Sequence, residues 1–365
     1  MSKKLNAFHI NLVFVCLLAV ILAAVGIGVF SLPRDSFSEE ENRSLAQAPN
    51  FSLHSLLSGK YFEGLSAFYS DHIPMRTQMI RAKAICEQLL LKRQNNGVIF
   101  GEGGYLIDRC EYDGYKIFNS NLPAIKKLIS KGASCFTVPR CVDILTDSAD
   151  SERLLELAAR EGLYTSQLVD LLKNEWKNGG EVYYKTDHHL DSDGAYALYR
   201  HITLSLGYLP YEKQDFELTQ VSDAFLGTVF SRCGLTATEA DTVTLYRYEG
   251  DESIRARCED ADCSLSSLYC FDKLAQKDKY QIFLGGNHGV LRIGEHNGEK
   301  PSLLVIKDSF ANAVIPLLAR HFDLTVIDPR YADIFDSGLA DERFDIVIIL
   351  LGLDTVMTTR LSGLN

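Results

Sequence analysis

The 365-residue chain has no C-x-x-C pair, no histidine pair at zinc-finger spacing, no internal repeat and no low-complexity tract. A structural zinc site, a solenoid and a disordered scaffold are excluded on those grounds. Base is also scarce: 37 Lys and Arg stand against 48 Asp and Glu, a formal charge of −11. Non-specific nucleic-acid binding needs a basic footprint to neutralise phosphates, so nucleic acid is not an expected partner. Long hydrophobic runs occur in one place only, which excludes a polytopic membrane protein. With 46% hydrophobic residues, the remainder has ample material for a packed core.

That single run is the first informative feature. Lys3 and Lys4 precede it, and no charge occurs over the 21 residues from Ile10 to Phe30. A helix of that length spans about 30 Å, the thickness of a bilayer core. Cleaved signal peptides have a shorter apolar region, roughly 7–15 residues, before a small-x-small site. Ala24-Val25-Gly26 has that form, but the run continues past it, which favours an uncleaved signal anchor. The two lysines put the N-terminus in the cytoplasm. The expected plan is a cytoplasmic tip and transmembrane anchor over 1–32, an extracellular linker over 33–50, and one large domain over 51–365. The protein would cross the cell membrane once, with that domain outside. Without Lys3 and Lys4, the exported part has 35 basic and 48 acidic residues, a net of −13. A head of that charge is repelled by anionic lipid.

Nine cysteines are present, Cys16 inside the apolar run, and Cys258 and Cys263 are the expected local disulfide pair. Residues 52–93 read as helices. Beyond them, short apolar runs alternate with amphipathic segments. Strands are expected at 98–100, 105–107, 134–138, 182–184, 243–246, 282–284, 303–306, 324–327 and 346–351. Helices are expected at 115–131, 151–161, 165–176, 192–206 and 309–320. The alternation predicts an α/β domain with a mainly parallel central sheet. The least regular stretch, 212–275, reads as an insertion or lid.

Two segments can carry chemistry. In Tyr184-Lys185-Thr186-Asp187-His188-His189-Leu190, an extended backbone puts Asp187 and His189 on one face and points His188 away. A carboxylate beside an imidazole makes a general base, because it fixes the tautomer and stabilises the imidazolium. The alternative is that Asp187 or Asp191 caps the following helix. In Leu303-Leu304-Val305-Ile306-Lys307-Asp308-Ser309-Phe310, a strand runs into a turn and then a helix. Ser309 would sit at the carboxyl end of a strand, where an open α/β sheet places its ligand. The alternative is Asp308 or Ser309 as an ordinary N-cap. Lys307 and Ala311 occupy the glycine positions of a G-x-S-x-G elbow, so an α/β-hydrolase is not indicated. A metal held by Asp187, His188, His189 and His288 is disfavoured, since neighbouring residues rarely face one ion.

With these two segments and Ile327-Asp328-Pro329-Arg330-Tyr331, the chain resembles the DHHW family. That family is related to the AlgX/AlgJ-like alginate O-acetyltransferases and the SGNH esterases. Glu41-Asn42-Arg43-x-Leu45, Gly59-x-Tyr61-Phe62, Asp71-x-x-Pro74-x-Arg76 and Gly101-x-x-Gly104-Tyr105-Leu106 are similar to its N-terminal pattern. The resemblance implies an SGNH hydrolase-like three-layer α/β/α sandwich. It also implies Ser309 as nucleophile, His189 as base and Asp187 as its orienter. Gly286 and Asn287, in the turn Gly285-Gly286-Asn287-His288, would serve as an oxyanion hole, or only form a tight turn. Arg330 and Tyr331 would line the cleft, or form a surface salt bridge. The implied activity is serine O-acetyl transfer or ester hydrolysis on a cell-envelope glycan or exopolysaccharide. A membrane-bound O-acyltransferase partner would supply acetyl groups, and no cofactor or metal is implied. Leu190 replaces the family's tryptophan and Lys307 precedes the serine motif. Both leave open a catalytically inactive glycan-binding or scaffold protein.

Overall fold

The computed structural model describes residues 2–31, 35–38, 43–109, 114–163, 166–235, 238–259 and 264–364. The chain forms two compact units, one of residues 1–92 with 234–236 and the other of 93–233 with 237–365. Residues 51–92, read from sequence as the start of the large domain, group with the first unit.

In the first unit the helix Ser2–Ser31 contains Phe8–Val29, a stretch long and apolar enough to cross a membrane. Three further helices follow, Leu53–Leu57, Lys60–His72 and Arg76–Leu89. Ser52 starts the first through a capping box with Ser55. Pro74 separates the last two, because the ring removes a donor and disfavours helix at the residue before it.

The second unit is built on a seven-stranded sheet. Its order is Ser264–Leu265, Ala256–Cys258, Val290–Ile293, Asp323–Ile327, Ser302–Lys307, Ile346–Gly352, Ser134–Val138. Residues 303–307, 323–327 and 348–352 are all buried. Successive strand residues point to opposite faces, so unbroken burial means that both faces are covered.

The sheet is mixed, which corrects the mainly parallel one expected. Its last four strands are parallel, whereas Val290–Ile293, Ala256–Cys258 and Ser264–Leu265 extend it antiparallel. A parallel return needs a crossover, usually a helix. Between Cys258 and Val290 the described residues hold the two-residue strand Ser264–Leu265 and 3₁₀ turns but no α-helix, so the chain returns antiparallel. The stretch 212–275 is likewise no simple lid: Glu217–Phe225 pairs antiparallel with Asp241–Arg247, and two strands of the main sheet follow.

Most expected helices form, as Lys116–Ser130, Ala149–Arg160, Ser166–Lys177 and Ser192–Ser205. The one expected at 309–320 divides into a 3₁₀ turn, Ser309–Ala311, and a short helix, Ile315–Leu318. Pro316 stands in the first turn of that helix, where its missing N–H costs nothing. The strand expected at 282–284 is instead the end of a 3₁₀ turn, Lys279–Ile282. The strand expected at 182–184 keeps a single bridge, Tyr183 to Leu190. Cys258 is disulfide-bonded, and Cys263, its expected partner, lies outside the described residues.

Candidate active site

The Tyr183–Leu190 bridge closes a tight loop whose tip carries Asp187 and His188. Asp241 fastens it: its carboxylate accepts from Lys185 N at 2.7 Å, Thr186 N at 2.8 Å and Thr186 Oγ1 at 2.5 Å. Within the loop, Asp187 Oδ1 accepts from His189 N at 3.1 Å and from His189 Nδ1 at 2.5 Å. Its other oxygen accepts from Thr228 N at 2.7 Å and Thr228 Oγ1 at 2.6 Å. Asp191, not Asp187, caps the helix Ser192–Ser205, accepting from Gly194 N. Because the segment is bent rather than extended, His188 does not point away as expected. Its ring lies 4.0 Å from that of His189, and its Nδ1 meets Thr228 Oγ1 at 3.0 Å.

Burial alone would raise the Asp187 carboxyl. The two histidines and the hydrogen bonds from His189 and Thr228 outweigh it and hold the group well below the usual carboxylate range. Burial lowers His189, helped by His188 and opposed by Asp187. With Nδ1–H directed at the carboxylate, the neutral ring carries its lone pair on Nε2. That nitrogen is buried and has no hydrogen-bond partner.

Ser309 follows the strand Ser302–Lys307, at the point where the strand order reverses. The chain next adds Asp323–Ile327 on one side and then Ile346–Gly352 on the other. Such a switch point opens a crevice beyond the carboxyl ends of the strands. Asp308 caps the turn, accepting from Phe310 N at 3.0 Å and Gly352 N at 2.8 Å. Tyr280 joins this turn to the histidine. Its ring stacks on His189 at 3.9 Å and 9°, and its hydroxyl donates to Ser309 O at 3.0 Å. Phe310, next to Ser309, lies 5.2 Å from the His189 ring.

Leu284, Gly285 and Gly286 all have positive φ, so Gly285 and Gly286 do form a tight turn. Asn287 is exposed at its end, and its Oδ1 accepts from Asn312 Nδ2 at 3.2 Å, leaving the Asn287 amide nitrogen as a donor. Lys307 is buried and donates to Asn312 Oδ1 at 2.6 Å, with Asp328 Oδ2 4.0 Å away. Burial pulls its ammonium down to about 8, opposed by Asp328. Leu190 is fully buried in the core. Arg330 holds Asp328 through Nε at 2.9 Å and a terminal nitrogen at 2.6 Å, and Tyr331 is exposed.

Tyr280, Thr228 and Asp241 escaped the sequence reading, because they come from segments with no motif of their own. Gly227 carried the one available signal, a glycine beside a threonine. A Cβ there would fall 2.3 Å from Asp187 Cβ. The ligating atoms of Asp187, His188 and His189 lie within 4.8 Å of one another, close enough to hold a cation. Both Nδ1 atoms and the carboxylate, however, are already engaged with one another and with Thr228. His288 stands apart, its Nε2 on Leu284 O.

No curated protein matches the chain by sequence. Among solved structures, a DHHW family protein from Eubacterium siraeum superposes with a TM-score of 0.56 at 19% identity, covering 74% of this chain and 95% of that one. Bacillus cereus PatB1, solved with a sulfonyl adduct, superposes with a TM-score of 0.58 at 17% identity, covering 73% and 98%. The O-acetyltransferase domain of Pseudomonas putida AlgJ gives a TM-score of 0.40 at 13% identity, covering 71% and 92%. At these identities the likeness to the first two is one of fold. The DHHW protein family model matches residues 162–327, a stretch that contains Asp187, His189 and Ser309, and over that stretch the chain is similar to the DHHW family.

Proposed function

We propose that the protein is a membrane-anchored, extracytoplasmic serine O-acetyltransferase or esterase of SGNH-like three-layer fold, acting on a cell-envelope or secreted glycan. The observation that supports it best is His189, with Nδ1 locked on Asp187 and Nε2 buried without a partner beside the Ser309 turn. In this reading Ser309 Oγ attacks the acetyl carbonyl and passes its proton to His189 Nε2, forming the new C–O bond. The oxyanion takes hydrogen bonds from the Asn287 amide and the backbone of the Gly286 turn. Collapse expels the donor's alkoxide, which takes the proton from His189. A sugar hydroxyl or water then repeats the steps in reverse order and frees Ser309. Asp187 keeps its charge throughout and stabilises the imidazolium. Arg330 and Tyr331 would line the acceptor side, and a membrane-bound O-acyltransferase would charge the donor. The uncleaved N-terminal helix would hold the head at the membrane surface.

The test is turnover of p-nitrophenyl acetate, with mass spectrometry of the Ser309 peptide. Wild type should release p-nitrophenol, become sulfonylated at Ser309 by phenylmethylsulfonyl fluoride, and lose turnover on that modification. Unchanged turnover in Ser309→Ala would remove the serine from the reaction.

A further inference from the structure

The helix Arg76–Leu89 packs Ala84 inward and shows the solvent an apolar stripe. Met75, which precedes it, and Met79, Ala82, Cys86 and Leu89 are spaced by four, three, four and three residues. At 100° per residue all five fall within about 40° of one line. Met75 is 69% exposed, Met79 51% and Leu89 78%, and Ala82 and Cys86 are exposed as well. Soluble proteins do not usually display so continuous an apolar line unless something covers it.

The stripe begins at the membrane anchor. Pro74, the residue before Met75, packs so closely on Gly28 that a Cβ there would meet its Cγ at 2.5 Å. Tyr69 reaches Gly26 in the same way, its hydroxyl 3.5 Å from a Cβ built there. Both glycines belong to the apolar span Phe8–Val29. The turn at Pro74 is thus level with the outer end of that span. Charge points the same way. Although the exported part is acidic, residues 76–93 hold Arg76, Arg81, Lys83, Lys92 and Arg93 against Glu87 alone. Lys83 is exposed on one flank of the stripe and Arg81 on the other, where long basic chains can reach phosphate while apolar neighbours enter lipid, whereas Arg76 is half-buried and donates to Ser70 O at 3.0 Å.

We propose that the helix Arg76–Leu89 lies in the outer face of the bilayer, with Met75, Met79, Ala82, Cys86 and Leu89 set among the lipids. The proposal rests on the anchor reading above. It makes the protein a surface-bound enzyme whose first unit is oriented by two membrane contacts, one spanning and one lying flat.

The test uses the full chain in lipid nanodiscs containing anionic phosphatidylglycerol. Trp176, the single tryptophan, is replaced by phenylalanine, and tryptophan is placed by Met79→Trp, by Leu89→Trp or, as a control within the span, by Leu22→Trp. Brominated lipid should quench the probes at 79 and 89 at least twofold, and aqueous acrylamide should quench them less than free tryptophan. Quenching at 22 alone, with 79 and 89 open to acrylamide, overturns the interfacial helix and leaves the anchor standing. No bromine quenching at 22 overturns both. Probes shielded from both quenchers, with near-complete Cys86–Cys86 cross-linking, assign the stripe to a second copy and also overturn the proposal.

Discussion

Tyr280 lies flat against His189, ring centroids 3.9 Å apart and planes 9° from parallel, while its hydroxyl holds the carbonyl of Ser309 at 3.0 Å. One side chain therefore sets both the plane of the proposed base and the position of the proposed nucleophile's turn. Tyr280→Phe keeps the stack and loses one buried hydrogen bond, at an expected cost of about 1 kcal/mol in denaturant unfolding. Its ester turnover should stay within a few-fold of wild type. Tyr280→Ala removes a buried ring, at roughly 3–5 kcal/mol, and lets the imidazole rotate, so turnover should fall at least tenfold. Wild-type turnover in the alanine variant would show that the stack does not hold the base.

The acid limb of kcat/KM should lie below pH 6.5, because burial and His188 both lower His189. Protonated His189 cannot accept the serine proton, so activity rises with pH through the folded pKa and is established before neutrality. His188→Gln removes one lowering charge and should move that limb upward. Asp187 behaves in the opposite sense for stability. Its folded pKa lies below its ordinary value of 3.8, so it stabilises the fold above that pH and loses the contribution as pH falls further. In acid titrations followed by circular dichroism, the advantage of wild type over Asp187→Asn should shrink below pH 3.8.

Sequence revealed those parts whose physics is local. The strand Ser302–Lys307 is built on the unbroken apolar run 303–306, and it forms one residue wider at each end than read. Asp187 and His189 were legible because two residues of spacing bring a carboxylate and an imidazole together in most loop geometries. The strand Glu217–Phe225 was missed, since it is largely exposed on both faces and shows no period-two burial. The antiparallel half of the sheet was missed because pairing direction depends on connections that no short window displays. Tyr280, 91 residues after His189 in sequence terms, meets it only through the tertiary fold.

Gly227→Ala should inactivate the protein more than it destabilises it. Gly227 has no positive φ to explain the glycine; what requires it is the approach of Asp187, whose Cβ would stand 2.3 Å from the new methyl. Overpacking of this kind costs roughly 1–3 kcal/mol. The loop must yield, and Asp187 then loses its alignment with Thr228 and His189. The expected result is a folded protein with kcat reduced by two or more orders of magnitude, whereas Gly207→Ala, at φ +84° with nothing within 4 Å, should cost stability through backbone strain and leave kcat near wild type. Equal losses of kcat at the two positions would refute the close-approach account.

Lys307 gives the protein an alkaline signature. Its ammonium is lowered to about 8 in the fold against 10.5 in the unfolded chain, with burial as the first cause. Between those values the unfolded chain binds more protons, so stability should rise with pH through that window. The full rise is on the order of 3 kcal/mol, at about 1.4 kcal/mol per pKa unit. Lys307→Met removes the titrating group while keeping most of the buried chain. It also strips Asn312 Oδ1 of its donor, and Asn312 is the residue that holds the Asn287 turn. Guanidinium unfolding at pH 7.5 and pH 10 should therefore differ in wild type and converge in the variant. At pH 7.5 the variant should also turn over ester more slowly, as the Asn287 amide is no longer fixed. A variant that keeps the wild-type pH difference would assign it to another group.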